Sequence, residues 1–295
     1  MRARALAAVL GSALLLGGCS ELGRGEPLVT QAITDVPEAQ IDLSRAREEN
    51  QLRLIDPLFE DVRVLEDRWG IESARLFFNN STTLIVAENS DPAVLRAASL
   101  SVAQRVPMVV YDSTVRAPII ELAEDLGVEQ VVVIGQVPLA VQAGETTVIH
   151  DPGNTKALGE YTAFQFTSQL VSRPERMVNA VAHLDAANKT ELKAAWEPLS
   201  QHITKEKMPA IPAQARRDSQ MAPVIVATAE TPVANVANAN AYGGSVIVLK
   251  NPDPSATKAG AAVTAGLEEG PIVALGPEFG SAKEFSSLIA RGRQE

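Results

Sequence analysis

The sequence predicts an α/β fold: two Rossmann-like parallel-sheet repeats with a helical insert between them. Short, continuously apolar runs alternate with amphipathic stretches of helical length, and the alternation occurs twice along 295 residues. Uninterrupted apolar strands mark a parallel sheet covered by helices on both faces. The length accommodates one or two domains with a sizeable core. The expected divisions are a leader over 1–18 and a tether over 19–43. A helical lead-in and first unit follow over 44–154, a helical insert and linker over 155–221, and a second unit over 222–295.

Arg2 and Arg4 precede an apolar run from Ala5 to Leu16, which ends in Leu16-Gly17-Gly18-Cys19. The run is shorter than the ~20 apolar residues of a membrane span and has the length of a signal-peptide core. Its last residues resemble the lipobox of bacterial lipoproteins, where small side chains fit a protease pocket and a thiol accepts the lipid. The resemblance implies cleavage before Cys19, lipidation of Cys19 with fatty acyl chains such as palmitate, and tethering to the outer face of the cell membrane. Cys19 is the single cysteine, which excludes an intrachain disulfide and a cysteine-cluster metal site. Residues 20–40, rich in Gly, Pro, Thr and Glu, read as a flexible tether.

Residues 44–69 read as helical, because Leu54, Leu58, Val62, Leu65 and Trp69 recur at spacings of three and four. Asp56-Pro57 is a helix start and Gly70 a stop. Thr83–Ala87 is then a buried strand, and Asp91-Pro92 opens a helix whose Val94, Leu95, Ala98 and Val102 share a face. Pro107–Tyr111 is a second strand, Pro118–Leu126 a second helix closed by Gly127, Val131–Ile134 a third strand, and Thr147–Ile149 a fourth. Ala157–Leu170, Pro174–Ala187 and Lys189–Thr204 read as helices, and 205–221, with Arg216-Arg217, as a linker.

The first pattern then returns roughly 140 residues later. Val224–Ala227 matches Leu84–Ala87, Thr231-Pro232 matches Asp91-Pro92, Val246–Leu249 matches Met108–Tyr111, and Ile272–Gly276 matches Val131–Gly135. Four anchors near one offset indicate an internal duplication of a β-α-β-α-β unit.

These residues are similar to the cell wall-binding repeat of type 2. The resemblance is carried by Ile85-Val86-Ala87-Glu88-Asn89, Ala97-Ala98, Val106-Pro107-Met108-Val109-Val110, and Leu126-Gly127-Val128-Glu129-Gln130-Val131-Val132-Val133-Ile134-Gly135. The second copy runs from Val224 to about Ile289. Where the family has Gly-Asp, an aromatic and Asp-Ala-Leu, this chain has Glu88–Pro92 and Thr228–Pro232. Tyr161 stands where the family has an Asp-Arg-Tyr phrase, and the family's usual third repeat is not recognised. The resemblance implies Rossmann-like units that attach surface proteins of Gram-positive bacteria non-covalently to cell-wall polymer.

Composition narrows the chemistry. A net charge of −10 excludes a generally basic nucleic-acid surface. An aromatic content of 4% argues against an aromatic-lined sugar groove. No G-x-G-x-x-G or G-x-x-x-x-G-K-[ST] occurs, so no nucleotide cofactor is expected. His150, His183 and His202 lack metal-ligand spacing, and no G-x-S-x-G elbow is present, so neither a metal nor an enzymatic activity is expected. In open parallel sheets, ligands bind outside the carboxyl ends of the strands. That rule selects Glu88, Asn89, Asp112, Ser113, His150 and Asp151 in the first unit, and Thr228, Glu230, Lys250 and Asn251 in the second. Asp91 and Thr231 are expected as helix N-caps. The function expected is a lipid-anchored envelope protein that binds cell-wall polymer. The alternatives are a solute-binding lipoprotein and an envelope-acting hydrolase using groups such as Glu88, His150, Asp151 and Glu230.

Overall fold

In the computed structural model, residues 37–138, 146–200, 209–215 and 221–292 are described. Cys19, most of the tether and Arg216-Arg217 lie outside them. The first α-helix among the described residues is α1 (Leu43–Gln51), which Asp42 caps by accepting from the Ser44 and Arg45 amides at 3.0 and 3.2 Å. There follow β1 (Val62–Val64), α2 (Ile71–Phe77), β2 (Thr83–Ala87), α3 (Asp91–Gln104), β3 (Met108–Val110), α4 (Arg116–Leu126), β4 (Gln130–Ile134) and β5 (Thr147–His150). The middle of the chain forms α5 (Thr155–Thr162), β6 (Thr167–Val171), α6 (Met177–Ala182) and β7 (Thr190–Ala194). The last part forms β8 (Val224–Ala227), α7 (Val233–Tyr242), β9 (Val246–Val248), α8 (Lys258–Thr264), β10 (Ile272–Ala274) and α9 (Ala282–Arg291).

The α/β class is as the sequence predicts. Two four-stranded sheets run in the orders β3-β2-β4-β5 and β9-β8-β10-β1, and every strand pairing is parallel. The registers also match, with Ile85 opposite Met108 and Ile225 opposite Val246. Strands β2 and β8 are buried along their whole length, which is why they read as unbroken apolar runs. The fourth strand of the second sheet is β1, from the start of the chain, with Val62 opposite Ile272.

This placement corrects the helix expected over 44–69. Only α1 is helical there. Pro57–Phe59 is a single 3-10 turn, and Val62-Arg63-Val64 is a strand. Of the residues that suggested an apolar stripe, Leu54 and Leu58 are exposed while Leu65 is buried. Gly70 is not a stop but the residue from which α2 starts, at φ +86°. A Cβ there would come within 2.7 Å of the Ala234 Cβ and 3.0 Å of the Met108 carbonyl, so only glycine fits both the backbone and the contact.

The insert is also corrected. Of the three helices expected within 155–221, the first is shortened to α5 and the second to α6, while β6 and β7 take Thr167–Val171 and Thr190–Ala194, so that a third parallel unit, β6-α6-β7, forms. Its strands escape notice because Thr167–Leu170 are exposed and β7 carries two charges, Glu191 and Lys193. The segment therefore holds a shortened relative of the β-α-β pattern found on either side of it.

The first crossover helices of the three units, α3, α6 and α7, pack against one another at the centre. In α3 every residue from Pro92 to Gln104 is buried, as expected of a helix enclosed on all sides. Nearby, Phe59, Phe77 and Tyr242 form an aromatic cluster with ring centroids 5.4–5.9 Å apart.

Polar side chains on these helices lock each unit to the next. From α7, Asn238 is fully buried, and its side-chain oxygen accepts from the Met108 amide at 2.8 Å. Its amide nitrogen donates to the Met108 carbonyl at 2.9 Å and the Gly70 carbonyl at 3.0 Å. Asn238 thus behaves as a neighbouring strand for the outer edge of β3. Asn235 donates to the Asp67 and Leu275 carbonyls and accepts from Ser73 Oγ at 2.8 Å. From α3, Ser99 Oγ accepts from the Leu192 amide of β7 at 2.8 Å. Replacing Asn238 with Ala orphans two buried backbone groups of β3. The expected loss is about 2–4 kcal/mol of unfolding free energy, measurable by urea denaturation.

Candidate functional site

At the carboxyl end of β2, Glu88 is partly buried and its Oε2 accepts from the Gln136 amide at 3.1 Å. It lies over Gly135, where a Cβ would come within 2.3 Å of that oxygen. In the second sheet Gly276 stands at the matching strand end, and a Cβ there would fall 2.0 Å from Glu278 Oε2. Both sheets thus cover the glycine after a central strand with a carboxylate. The first draws it from β2, and the second draws it from the loop after β10. Thr228, the counterpart of Glu88, donates its hydroxyl to Glu278 Oε1 at 2.8 Å, and Thr231 donates to the same oxygen.

The remaining strand-end residues are dispersed. Asp112 accepts from the Thr114 amide at 2.9 Å and the Thr114 hydroxyl at 2.5 Å. The hydroxyl and amide of Thr114 hold the Asp112 carboxyl below its ordinary pKa. Asn89, Ser113, Glu230, Lys250 and Asn251 are exposed. His150 is partly buried in β5 opposite Val133. Neither expected N-cap caps its helix. Asp91 is the first residue of α3 and accepts from the Trp196 indole at 3.2 Å. Thr231 precedes the N-cap residue Pro232 and accepts from the Thr228 amide at 2.8 Å.

Asp151 belongs to a different construction. It is 2% exposed, immediately after β5, and grips Arg96 of α3 in a two-pronged ion pair at 2.5 and 2.8 Å. Arg96 is itself 1% exposed. Its guanidinium also pairs with Glu191 of β7 and donates to the Asn154 carbonyl at 3.0 Å. Tyr161 of α5 donates its hydroxyl to Asp151 at 2.9 Å. Glu191 further accepts from the Thr155 and Ser168 hydroxyls at 2.5 and 3.2 Å. Lys193 Nζ stands 3.1 Å from Glu191 and donates to Thr155 at 2.9 Å.

The electrostatics follow from this placement. Burial opposes the charge on Arg96, but Asp151, Tyr161 and Glu191 together hold its pKa above the ordinary arginine value. Burial, with the nearby Asp151 charge, pushes the Tyr161 phenol well above its ordinary range. A planar guanidinium with five donors is the side chain suited to join two carboxylates and a carbonyl at once.

Beside this network lies a cavity of about 250 Å³. Its lining includes Arg96, Glu191, Lys193 and Glu197 together with Leu170 and Leu199. Of these residues the strand-end rule found none. It reached Asp151 but not Asp151's partners. The signal for Arg96 was present, as a lone charge inside Val94-Leu95-Arg96-Ala97-Ala98. Among the described residues, no group of three or more His, Cys, Asp or Glu side chains is placed to hold a metal ion. Among them no helix is long and apolar enough to cross a membrane.

No protein-family model matches the chain, and no curated protein matches its sequence. The resemblance to the cell wall-binding repeat therefore rests on the residues quoted for it. Among solved structures, Cwp6 from Clostridium difficile is similar at 10% identity and a TM-score of 0.42, over 78% of this chain and 48% of that one. This chain thus spans about half the length of Cwp6, and likeness at that level carries no inference about activity.

Two outcomes test the local chemistry. Arg96→Met leaves Asp151 buried without its cation and Glu191 with only the half-open Lys193. The expected cost is about 3–5 kcal/mol of unfolding free energy, read by urea denaturation. Thr114→Val removes a donor to Asp112, so the Asp112 pKa rises toward its ordinary value in an NMR titration. Because that pKa is depressed in the folded chain, its stabilising contribution is present above the unfolded-state pKa and fades as pH falls through the folded one.

Proposed function

We propose that this chain is a lipid-anchored protein of the cell envelope whose α/β units bind cell-wall polymer non-covalently, outside the membrane. The observation that carries the reading is Leu16-Gly17-Gly18-Cys19 directly after a short apolar run with a basic start. The matching strand order of the two sheets supports tandem units of one kind. The cell wall-binding motif residues, Ile85–Asn89 and Leu126–Gly135, supply the polymer class. The strand ends of the first sheet carry Glu88, Asp91 and Asp112, so this reading favours a polymer segment without dense negative charge over an anionic one.

A solute-binding lipoprotein is the second reading, favoured by the cavity beside Arg96. The two readings share the anchor and differ in the ligand. Metabolic labelling with a palmitate analogue is expected to mark the full chain, and Cys19→Ala is expected to abolish the label and release the protein from membranes. Labelling that survives Cys19→Ala refutes the anchor. The full chain in detergent is expected to be retained on purified Gram-positive cell walls, above an unrelated acidic lipoprotein. Equal retention of the two refutes wall binding.

A further inference from the structure

We propose that the cavity beside Arg96 takes a single uncharged sugar ring, the contact through which a wall polysaccharide is held; this rests on the wall-binding reading above. Size sets the first limit. Pockets for drug-sized ligands run from about 300 to 1,000 Å³, so a cavity of about 250 Å³ matches one ring rather than a chain of them.

The lining sets the chemistry. Leu170 stands 68% exposed on β6, with Leu199 in the same lining. An apolar ledge of this kind gains by being covered with the C–H face of a ring. Beside Leu170 in the β6-β7 register, Lys193 keeps 41% of its side chain open while bonded to Thr155 and paired with Glu191. Glu197 offers an exposed carboxylate acceptor. A donor and an acceptor next to an apolar ledge suit hydroxyl groups, which both give and take hydrogen bonds.

Charge disfavours a charged ring. Arg96 and Lys193 balance Glu191 and Glu197 in the lining, so a ring of either sign meets a like charge, the open Lys193 ammonium or the exposed Glu197 carboxylate. A neutral ring brings no charge to desolvate. Arg96 fixes Glu191, and Ser99, also on α3, fixes the β7 backbone at Leu192. The polar lining of the cavity is therefore set before any ligand arrives. Trp196 precedes the lining residue Glu197 in the chain and is bonded to Asp91 at 3.2 Å, so its fluorescence serves as a readout.

The test titrates the full chain with N-acetylglucosamine as the neutral probe, glucuronic acid as the anionic one and glucosamine as the cationic one. Trp196 fluorescence and saturation-transfer NMR are the readouts. Saturable binding of the neutral probe is expected, at least tenfold tighter than of either charged probe. Lys193→Met is expected to weaken it at least tenfold, and Leu199→Trp, which fills the cavity, to abolish it. Circular dichroism and melting should match the wild type in both variants. No saturable binding of the neutral probe, tighter binding of a charged one, or full binding by a folded Leu199→Trp chain overturns the assignment. Wall retention separates the two readings. If Leu199→Trp is retained on walls like the wild type, the cavity assignment falls and wall binding stands. If the wild type binds the sugar but is not retained, wall binding falls and the cavity assignment stands.

Discussion

A strand edge buried inside a protein must find partners for its amide and carbonyl groups, because water cannot reach them. That constraint organises this molecule. Strand β3 is the outermost strand of its sheet, yet it lies against the second unit. Its Met108 groups are met by the Asn238 side chain and its Val110 amide by the Trp69 carbonyl. Strand β7 is treated the same way when Ser99 accepts from Leu192. In both cases a polar residue on the central helix of one unit completes the edge of the next. These buried polar positions set the register in which the units meet.

The Arg96 network extends the same logic with full charges. A guanidinium this deeply buried would be strongly unfavourable alone. Its two carboxylates and one carbonyl neutralise and orient it, and they come from the end of β5, the start of α5 and β7. Such an assembly contributes less to net stability than an apolar replacement of the same shape often would. What it does here is fix position, since the loop after β5, the first turn of α5 and the last parallel pair must converge on one side chain. The open cavity beside it inherits that rigidity.

Much of the fold was legible because the central strands are buried on both faces. Leu84–Ala87, Val131–Ile134 and Val224–Ala227 carry no polar residue to confuse their reading. Strand β1 was hidden, since three residues with an arginine in the middle resemble a helical surface when leucines stand nearby. Strands β6 and β7 were hidden for another reason. Glu191 looks like a solvent-facing residue until Arg96, 95 positions away, accounts for its burial. The strand-end rule located Asp151 but treated it as part of an open turn, because its partners lie on elements that the local sequence does not connect to it. Local pattern reveals what a segment does with its own neighbours, and long-range charge pairing leaves almost no local trace.

Strand β1 lies near the beginning of the chain and pairs with β10 near its end. During synthesis Val62–Val64 emerges long before Ile272–Ala274 exists. The first sheet, assembled from neighbouring segments, has all of its strands in hand by His150, whereas the second waits for the final stretch of polypeptide. A truncated product lacking β10 therefore leaves β1 without its partner and the two ends of the chain unstitched. The intact product draws them together into adjacent strands. Closure of that sheet joins the first described strand to the last one.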